Sequence, residues 1–537
     1  METLRLGLLP RYWTYAGSLL GTVLFLLLSF VYTGFAIPFA IALGLAILGT
    51  HDVLQTRHSI LRNYPILAHV RFMLEAIRPE MRQYFLESDT DGKPFSRDKR
   101  AVVYQRAKHQ LDKRPFGSQL DPYEDRFEWL NHSIVAKEPN KEPFRVTIGG
   151  PDCTRPYSAS IFNISAMSFG ALSANAIRAL NKGARLGGFF HDTGEGGFSP
   201  YHREFGGDVV WEIGSGYFGC RNPDGTFSAE RFRETVASDQ IRMIEIKLSQ
   251  GAKPGHGGVL PAAKVSKEIS ITRGVPMGQD CVSPPRHSAF ATPLEMMAFV
   301  KQLRELSDGR PVGFKLCVGH PWEFLAICKA MIETGIYPDF IVVDGTEGGT
   351  GASPPEFLDH VGSPMREGLL FVHNALVGLN IRDRVKLGAA GKIVSAFDIA
   401  RAMALGADWC NSARGFMFAI GCIQSQSCHT DRCPVGVATQ DPVRQEALHV
   451  PDKAERVANF HKSTLTVLSE VVAAAGLSHP DQLRAHHLSQ RIAPNKVKTF
   501  DRIYRFQEPG EILRGTNDPR YVDPWKMARA DSFEAAR

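Results

Sequence analysis

The chain has 537 residues, 44% of them hydrophobic and 22% charged, which is globular rather than disordered composition and allows one large domain with appendages or two to three smaller ones. The net charge of +6 is spread without a long basic run, and no aromatic-plus-basic pattern accompanies it, so no nucleic-acid partner is expected. Nine cysteines, an odd number, six of them scattered singly, exclude a secreted disulfide scaffold and indicate a reducing compartment.

The first element is apolar. Ala16 to Leu48 carries no charge, too long a run for the single crossing that about 20 residues make. Gly34 and Pro38 break it near its middle, so a transmembrane hairpin is expected over 1–50, with helices about Trp13–Tyr32 and Phe35–Gly49. Trp13, Tyr15 and Tyr32 sit near helix ends, as interfacial aromatics do. Arg5 and Arg11 precede the run and Arg57 and Arg62 follow it. Positive charge on both flanks suits two crossings of the cytoplasmic membrane, with both ends and the catalytic domain on the cytoplasmic side. The run exceeds the apolar stretch of a signal peptide; a single tilted or re-entrant segment is the other reading.

Residues 51–144 are polar and arginine-rich, with apolar positions at helical spacing in "RNYPILAHVRFMLEAIRPEMRQYF", and read as a helical connector packed on the main domain. From about 145 to 450 short apolar runs alternate with glycine-rich turns and helical stretches. The expected strands are Ile161–Ser165, Phe189–Thr193, Val209–Ile213, Met243–Leu248, Val312–Leu316, Phe340–Asp344, Val385–Leu387 and Asp408–Asn411. Helices are expected at Ser173–Leu186, Pro293–Leu306, Trp322–Thr334 and Ser395–Leu405, with Ser173 and Ser395 as N-caps. Eight strand–helix units suggest an α/β fold of the TIM (β/α)8 type, with an open doubly wound sheet as the alternative. Residues 451–537 read as a helical extension.

In a barrel the active site lies at the C-terminal strand ends. There this chain carries "TGEGG" (Thr193–Gly197), Lys247 before "SQGAKPGHGG", Lys315, "DGTEGGTGASP" (Asp344–Pro354), "AAGK" (Ala389–Lys392) and "SARG" (Ser412–Gly415). Glycine-rich turns after the last two strands, each leading into a helix, suit a phosphate-bearing cofactor. No G-x-G-x-x-G follows an N-terminal strand, so no dinucleotide-binding domain is expected. Beyond the last strand Cys422, Cys428 and Cys433 are spaced C-x5-C-x4-C. A closed structural zinc site wants four ligands and disulfides want pairs. His429, adjacent to Cys428, would make a cramped fourth zinc ligand, and Cys410 is a candidate fourth ligand for a [4Fe-4S] cluster.

"SAMSFGALS" (Ser165–Ser173), "TGEGG", "IEIKLSQGAKPGHGGVLP" (Ile244–Pro261), "SPPRH" (Ser283–His287), "GGTGASP" (Gly348–Pro354) and "CPVGVATQ" (Cys433–Gln440) together resemble the FMN-binding domain of the glutamate synthase family, over about Ile161 to Gln440. The anchored layout is similar to its membrane-associated bacterial members. The resemblance implies an oxidoreductase acting on CH-NH2 donors. It would reductively aminate 2-oxoglutarate, or a related 2-oxo acid, with ammonia or an alkylamine. The route is through 2-iminoglutarate and hydride transfer from FMN to L-glutamate. It implies a [3Fe-4S] cluster, which needs only three thiolates, on Cys422, Cys428 and Cys433. It assigns Lys253 and Arg273 to the substrate carboxylates and Glu195, Lys247 and Gln250 to the catalytic site. Ala166, Met167, Ser168, Lys315, Gly348, Gly349, Thr350, Gly391, Arg414 and Gly415 would line FMN, the last three at its phosphate.

Three departures from the family pattern stand out. A membrane segment replaces the glutamine amidotransferase domain, so ammonia is not expected to come from glutamine. Tyr217 replaces Arg in "SGYFG", and Val259 replaces Gln in "GGVLP". Both changes are expected to remove polar groups near the site and to alter substrate choice. Electrons would come from a separate reductase subunit, a ferredoxin or a quinol. A membrane-linked FMN and iron–sulfur oxidoreductase of different substrate, exchanging electrons with a quinol or other carrier, is the alternative function.

Overall fold

A computed structural model describes residues 9–536, with residue 263 described by its backbone alone. The chain divides into two compact units, Met1–Gly92 and Lys93–Arg537.

The first unit is built on two apolar helices, α1 (Trp13–Ser29) and α2 (Ala36–Leu54). Both segments, Pro10–Ser29 and Thr33–Leu54, are long and apolar enough to cross a membrane. Gly34 lies in the turn between them, where a Cβ would meet the Tyr32 ring at 2.3 Å. Pro38 does not break the run at its own position. It sits in the first turn of α2, where its missing N–H costs no helical bond, so α2 starts before it and continues to Leu54. The helices are joined side to side by a hydrogen bond of 2.9 Å between the Tyr15 and Thr50 hydroxyls. A third helix, α3 (Leu67–Met81), follows and runs into a π-helical turn at Arg82–Leu86.

The second unit contains a closed barrel of eight parallel strands. In chain order these are β1 (Phe162–Ile164), β2 (His191–Asp192), β3 (Val209–Ile213), β4 (Ile241–Lys247), β5 (Val312–Leu316), β6 (Phe340–Asp344), β7 (Lys386–Ala390) and β8 (Trp409–Ser412). β8 pairs with β1, Cys410 opposite Phe162, which closes the cylinder and rules out the open sheet. Every expected strand is present, with boundaries shifted by a few residues at most. The strands are apolar because both faces are covered, by the barrel interior and by the helices outside. Ser173 caps α5 (Ala174–Gly187) by accepting from the Ala176 N–H, and Ser395 caps its helix from the Asp398 N–H.

Two expectations are corrected. The connector is not one piece ending at 144. The unit boundary falls at Gly92, and α4 (Arg97–Ala107) belongs to the barrel unit. A strand at Glu128–Leu130 pairs antiparallel with Leu488–Ala493. That second strand also corrects the C-terminal extension. It begins as a long helix, Val450–Ala474, but carries a β-hairpin at Leu488–Ala493 and Lys496–Thr499. Sequence periodicity missed the pairing with Glu128–Leu130 because it joins residues more than 350 positions apart.

Candidate active site

Glu195 is presented by the turn that follows β2. Gly194 has φ +62, and a Cβ there would approach the Ser168 nitrogen to 2.7 Å. At Gly196 a Cβ would lie 2.8 Å from the Phe169 carbonyl oxygen. The turn is therefore pressed onto the Ala166–Met167–Ser168 segment, of which Ala166 and Ser168 stay partly open while Met167 is buried. Gly258 packs from the other side, its absent Cβ only 2.2 Å from Glu195 Oε1.

Lys247, the last residue of β4, donates from Nζ to Glu195 Oε2 at 2.6 Å. Burial alone would raise the Glu195 carboxyl, but Lys247, Arg273 and Lys253 together pull it down to about 2. Lys253 is buried, its Nζ donating to the Gly257 carbonyl at 2.9 Å, and burial lowers its pKa. Arg273 is buried too, with Nη2 donating to the Phe169 carbonyl at 2.9 Å and the guanidinium 5.0 Å from the Phe218 ring centre. Gln250 lines the same recess as Glu195, Lys247 and Lys253. Three cations around one carboxylate leave a formal surplus of +2, which favours an anionic ligand.

Sequence reasoning missed the layer behind this recess. His287 Nε2 lies 2.9 Å from the Lys247 carbonyl, which can only accept, so the proton resides on Nε2. Nδ1, 3.1 Å from the Tyr217 hydroxyl, then accepts from it. The Tyr217 oxygen in turn accepts from the Ser288 and Ala289 N–H groups at 3.1 and 3.0 Å. Burial pushes the His287 pKa down to about 4, so the ring is neutral at pH 7. The expectation that Tyr217 removes a polar group is corrected in this respect: its side chain is fully buried and its hydroxyl fully engaged, pinning the loop that carries His287. Val259 pairs with Val282 in a short antiparallel ladder beside Gly258.

Lys315 stands apart from the Lys247 group. It lies inside the barrel, ion-paired with Glu212 and 3.5 Å from Glu245. Oxygens of Asp192, Glu212 and Glu245 lie within 4.8 Å of one another. Burial, with Glu212 beside it, pushes Asp192 up to about 7, and burial with Asp192 beside it raises Glu245 well above the carboxylate range. Burial would lower the Lys315 pKa, but these three acids raise it well above the usual lysine value. The signal for the acids was a carboxylate within a short, largely apolar run in each of three strands.

On the opposite rim Gly391 and Lys392 follow β7, and Arg414–Gly415 follow β8. Arg414 donates to the Glu347 carbonyl and lies 4.8 Å from the Phe95 ring centre. Burial lowers it to about 10. Lys392 is lowered by burial and then by Arg414. Gly349 passes so close that a Cβ would sit 3.1 Å from Arg414 Nη1, and one at Gly391 would meet the Met365 Cβ at 2.7 Å. Two partly desolvated cations beside bare backbone fit a phosphate group. Thr350 lies in the same turn as Gly348 and Gly349, and its neighbour Gly351 abuts the backbone of Cys428 and His429 at 3.0 Å.

The thiols of Cys422, Cys428 and Cys433 lie within electrostatic reach of one another. Burial and then the other two thiols raise Cys422 to about 12, and burial and then Cys433 raise Cys428. Among the described residues only the three barrel acids form a group of ligand atoms all within 4.8 Å. The three thiols therefore do not all lie within 4.8 Å of one another. His429 is exposed, and Cys410 is buried in β8 where its electrostatic neighbours are Asp398 and Arg401, so neither alternative fourth ligand is favoured. The surroundings of this loop were not foreseen. Lys264 donates to the Cys428 and Ala438 carbonyls at 2.9 and 3.2 Å. Tyr104 of α4 donates to the Cys422 carbonyl at 2.6 Å, and the Phe95 main chain exchanges two bonds with the Gln424 amide.

The family model for the conserved region in glutamate synthase matches residues 135–478. The glutamate synthase large subunit-like protein YerD of Bacillus subtilis is 36% identical over 90% of this chain and 98% of its own length. An archaeal-type glutamate synthase (NADPH) of Thermotoga neapolitana is 34% identical, but this chain spans only 61% of it, and 61% of this chain is covered. Among solved structures, a mutant flavocytochrome b2 with pyruvate bound has a TM-score of 0.41 at 11% identity, covering 82% of this chain and 91% of that one, which adds nothing to the barrel topology.

Proposed function

The chain belongs to the glutamate synthase family, and from that premise we propose that it reductively aminates 2-oxoglutarate with ammonia or a small alkylamine. The single observation that carries this reading is the surplus of two positive charges around Glu195. Lys253 and Arg273 would hold the two carboxylates of the acid, where charge-assisted bonds are strongest. Glu195, ionised throughout the neutral range, is too weak a base to take protons; it serves as the anion that holds an ammonium or iminium cation. Lys247 Nζ, bonded to Glu195 Oε2, is placed to hold a proton beside the reacting carbon, and Gln250 orients the same substrate.

FMN is the proposed cofactor and would supply the hydride chemistry. Ala166, Met167 and Ser168 would line it, Gly348, Gly349 and Thr350 would cover it, and Gly391, Arg414 and Gly415, joined by Lys392, would hold its phosphate. Lys315, in register with Lys247 at the strand ends and ion-paired with Glu212, would contact the flavin. Cys422, Cys428 and Cys433 would ligate a [3Fe-4S] cluster, which would supply one-electron chemistry, with a reductase subunit, a ferredoxin or a quinol as the separate donor. The two apolar helices would anchor the chain in the cytoplasmic membrane, with the barrel on the cytoplasmic side.

The two apolar helices, with Tyr217 and Val259 where the family has Arg and Gln, favour a second reading: a membrane-linked FMN and iron–sulfur oxidoreductase of a different substrate, exchanging electrons with a quinol or other carrier. An anaerobic spectrum of detergent-purified protein, with iron, sulfide and FMN assayed on the same sample, comes first; flavin with about three irons per chain is expected. Titration with 2-oxoglutarate, followed by flavin absorbance, then separates the readings. Lys253→Ala should weaken binding by about 10- to 100-fold, the worth of a charge-assisted bond, and leave flavin content unchanged. An identical titration in the variant overturns the assignment to 2-oxoglutarate.

A further inference from the structure

α3 presents a bare apolar stripe. Leu67, Val70, Met73, Leu74, Ile77 and Met81 are each 43–57% exposed. At 3.6 residues per turn they fall within an arc of about 120°, the width of a core-facing stripe, yet among the described residues they stay open. Phe85 and Leu86, at 76% and 77% exposed, extend the stripe past the helix end. Arg71, Arg78 and Arg82 line one edge of the arc. Only over its first two turns is the other face turned to its own unit: Ala68 is buried, and Phe72 meets His58 edge-on with ring centres 6.1 Å apart.

The start of this helix is clamped to the ends of both apolar helices. Asp52, buried in the last turn of α2, accepts from the Ile66 N–H at 2.9 Å and pairs with His69 at 2.9 Å. On the α1 side, the Tyr12 hydroxyl donates to the Arg62 carbonyl at 3.2 Å and the Thr14 hydroxyl to the Pro65 carbonyl at 3.4 Å. α3 therefore departs at the level where the two apolar helices end, with Arg57 and Arg62 at the same level. If those helices cross a bilayer, that level is its headgroup layer.

We propose that α3 lies in the headgroup layer of an anionic bilayer, its apolar stripe among the acyl chains and its arginines on lipid phosphates. The inference rests on the reading that α1 and α2 cross the membrane. The occupant is lipid rather than protein because α3 starts at the ends of two helices whose own apolar side chains, such as Leu20, Val23 and Ile37, are exposed, and because arginines line its edge, Arg71 paired with Glu75 at 2.9 Å.

The test uses the full chain in vesicles of phosphatidylethanolamine with and without phosphatidylglycerol. The photoreactive residue p-benzoylphenylalanine is placed at Met73 on the stripe, at Glu75 off it, or at Val23 in α1. The proposal expects lipid adducts at Val23 in both vesicles. It expects adducts at Met73 at least several-fold above Glu75, and more of them with phosphatidylglycerol. Lipid adducts at Val23 but not at Met73 overturn the surface helix and leave the hairpin standing. Protein adducts at Met73 overturn it in favour of a protein partner or a second copy. No lipid adduct at Val23 overturns the membrane reading itself, and this inference with it.

Discussion

Tyr217 shows how one side chain can matter without touching a substrate. Its φ of +49 is unusual for a bulky residue, and its hydroxyl accepts two main-chain N–H groups while donating to His287. Tyr217→Phe strands the Ser288 and Ala289 donors and frees His287 Nδ1. We expect a loss of about 1–3 kcal/mol in stability, the cost of unsatisfied partly buried groups, seen as a lower Tm. Because His287 bonds the Lys247 carbonyl, KM for the oxo acid should rise while flavin content holds. A variant with unchanged Tm and KM would reduce the hydroxyl to a bystander. Glu195 and Lys247 could be placed at the barrel mouth from sequence because one sits in a glycine-rich turn and the other ends an apolar run, whereas Lys253 was reached only through the family resemblance. Tyr217 and His287 were not, since their roles come from partners about 70 residues away that no local pattern ties to them.

At the level of elements, the barrel strands were legible because burial on both faces leaves an apolar run with a sharp end. The interior acids Asp192, Glu212 and Glu245 were visible as interruptions of those runs, but only closure of the barrel sets them around Lys315. α4 was read as part of a featureless connector, because its importance lies in Tyr104 reaching Cys422, more than 300 positions along the chain. Helix contacts give a direct test of packing. α5 crosses the long helix Val450–Ala474 at Gly183, where a Cβ would lie 2.5 Å from the Val457 Cβ and 2.7 Å from the Ala454 carbonyl oxygen. Backbone cannot yield there as a flexible side chain would. Gly183→Ala should cost about 1–3 kcal/mol through overpacking, read as a lower midpoint in urea. An unchanged midpoint would show that the two helices can separate freely.

Across the whole molecule, five histidines, His191, His202, His287, His373 and His461, are held neutral by burial, each well below the ordinary value of 6.5. The unfolded chain binds protons at these positions near pH 6.5 and the folded chain does not. Their neutral state therefore favours the fold above that pH, and the advantage is lost as pH falls from 6.5 towards 4. Each contributes a slope of about 1.4 kcal/mol per pH unit in that window. Thermal melts from pH 7.5 to 5 should show Tm dropping steeply below 6.5; a flat profile would mean the histidines titrate normally. The position of α4 carries a practical consequence for anyone freeing the catalytic unit from detergent. Phe95, Arg100 and Tyr104 stand over Cys422 and Gln424, and they come just after the boundary at Gly92. A fragment starting at Lys93 keeps that cover, whereas one starting near residue 145, where the barrel pattern begins, strips it away. If the three thiols hold the proposed cluster, the shorter fragment should lose its iron in air within a purification that the longer one survives, so oxygen tolerance, measured as iron retained per flavin, would depend on where the chain is cut.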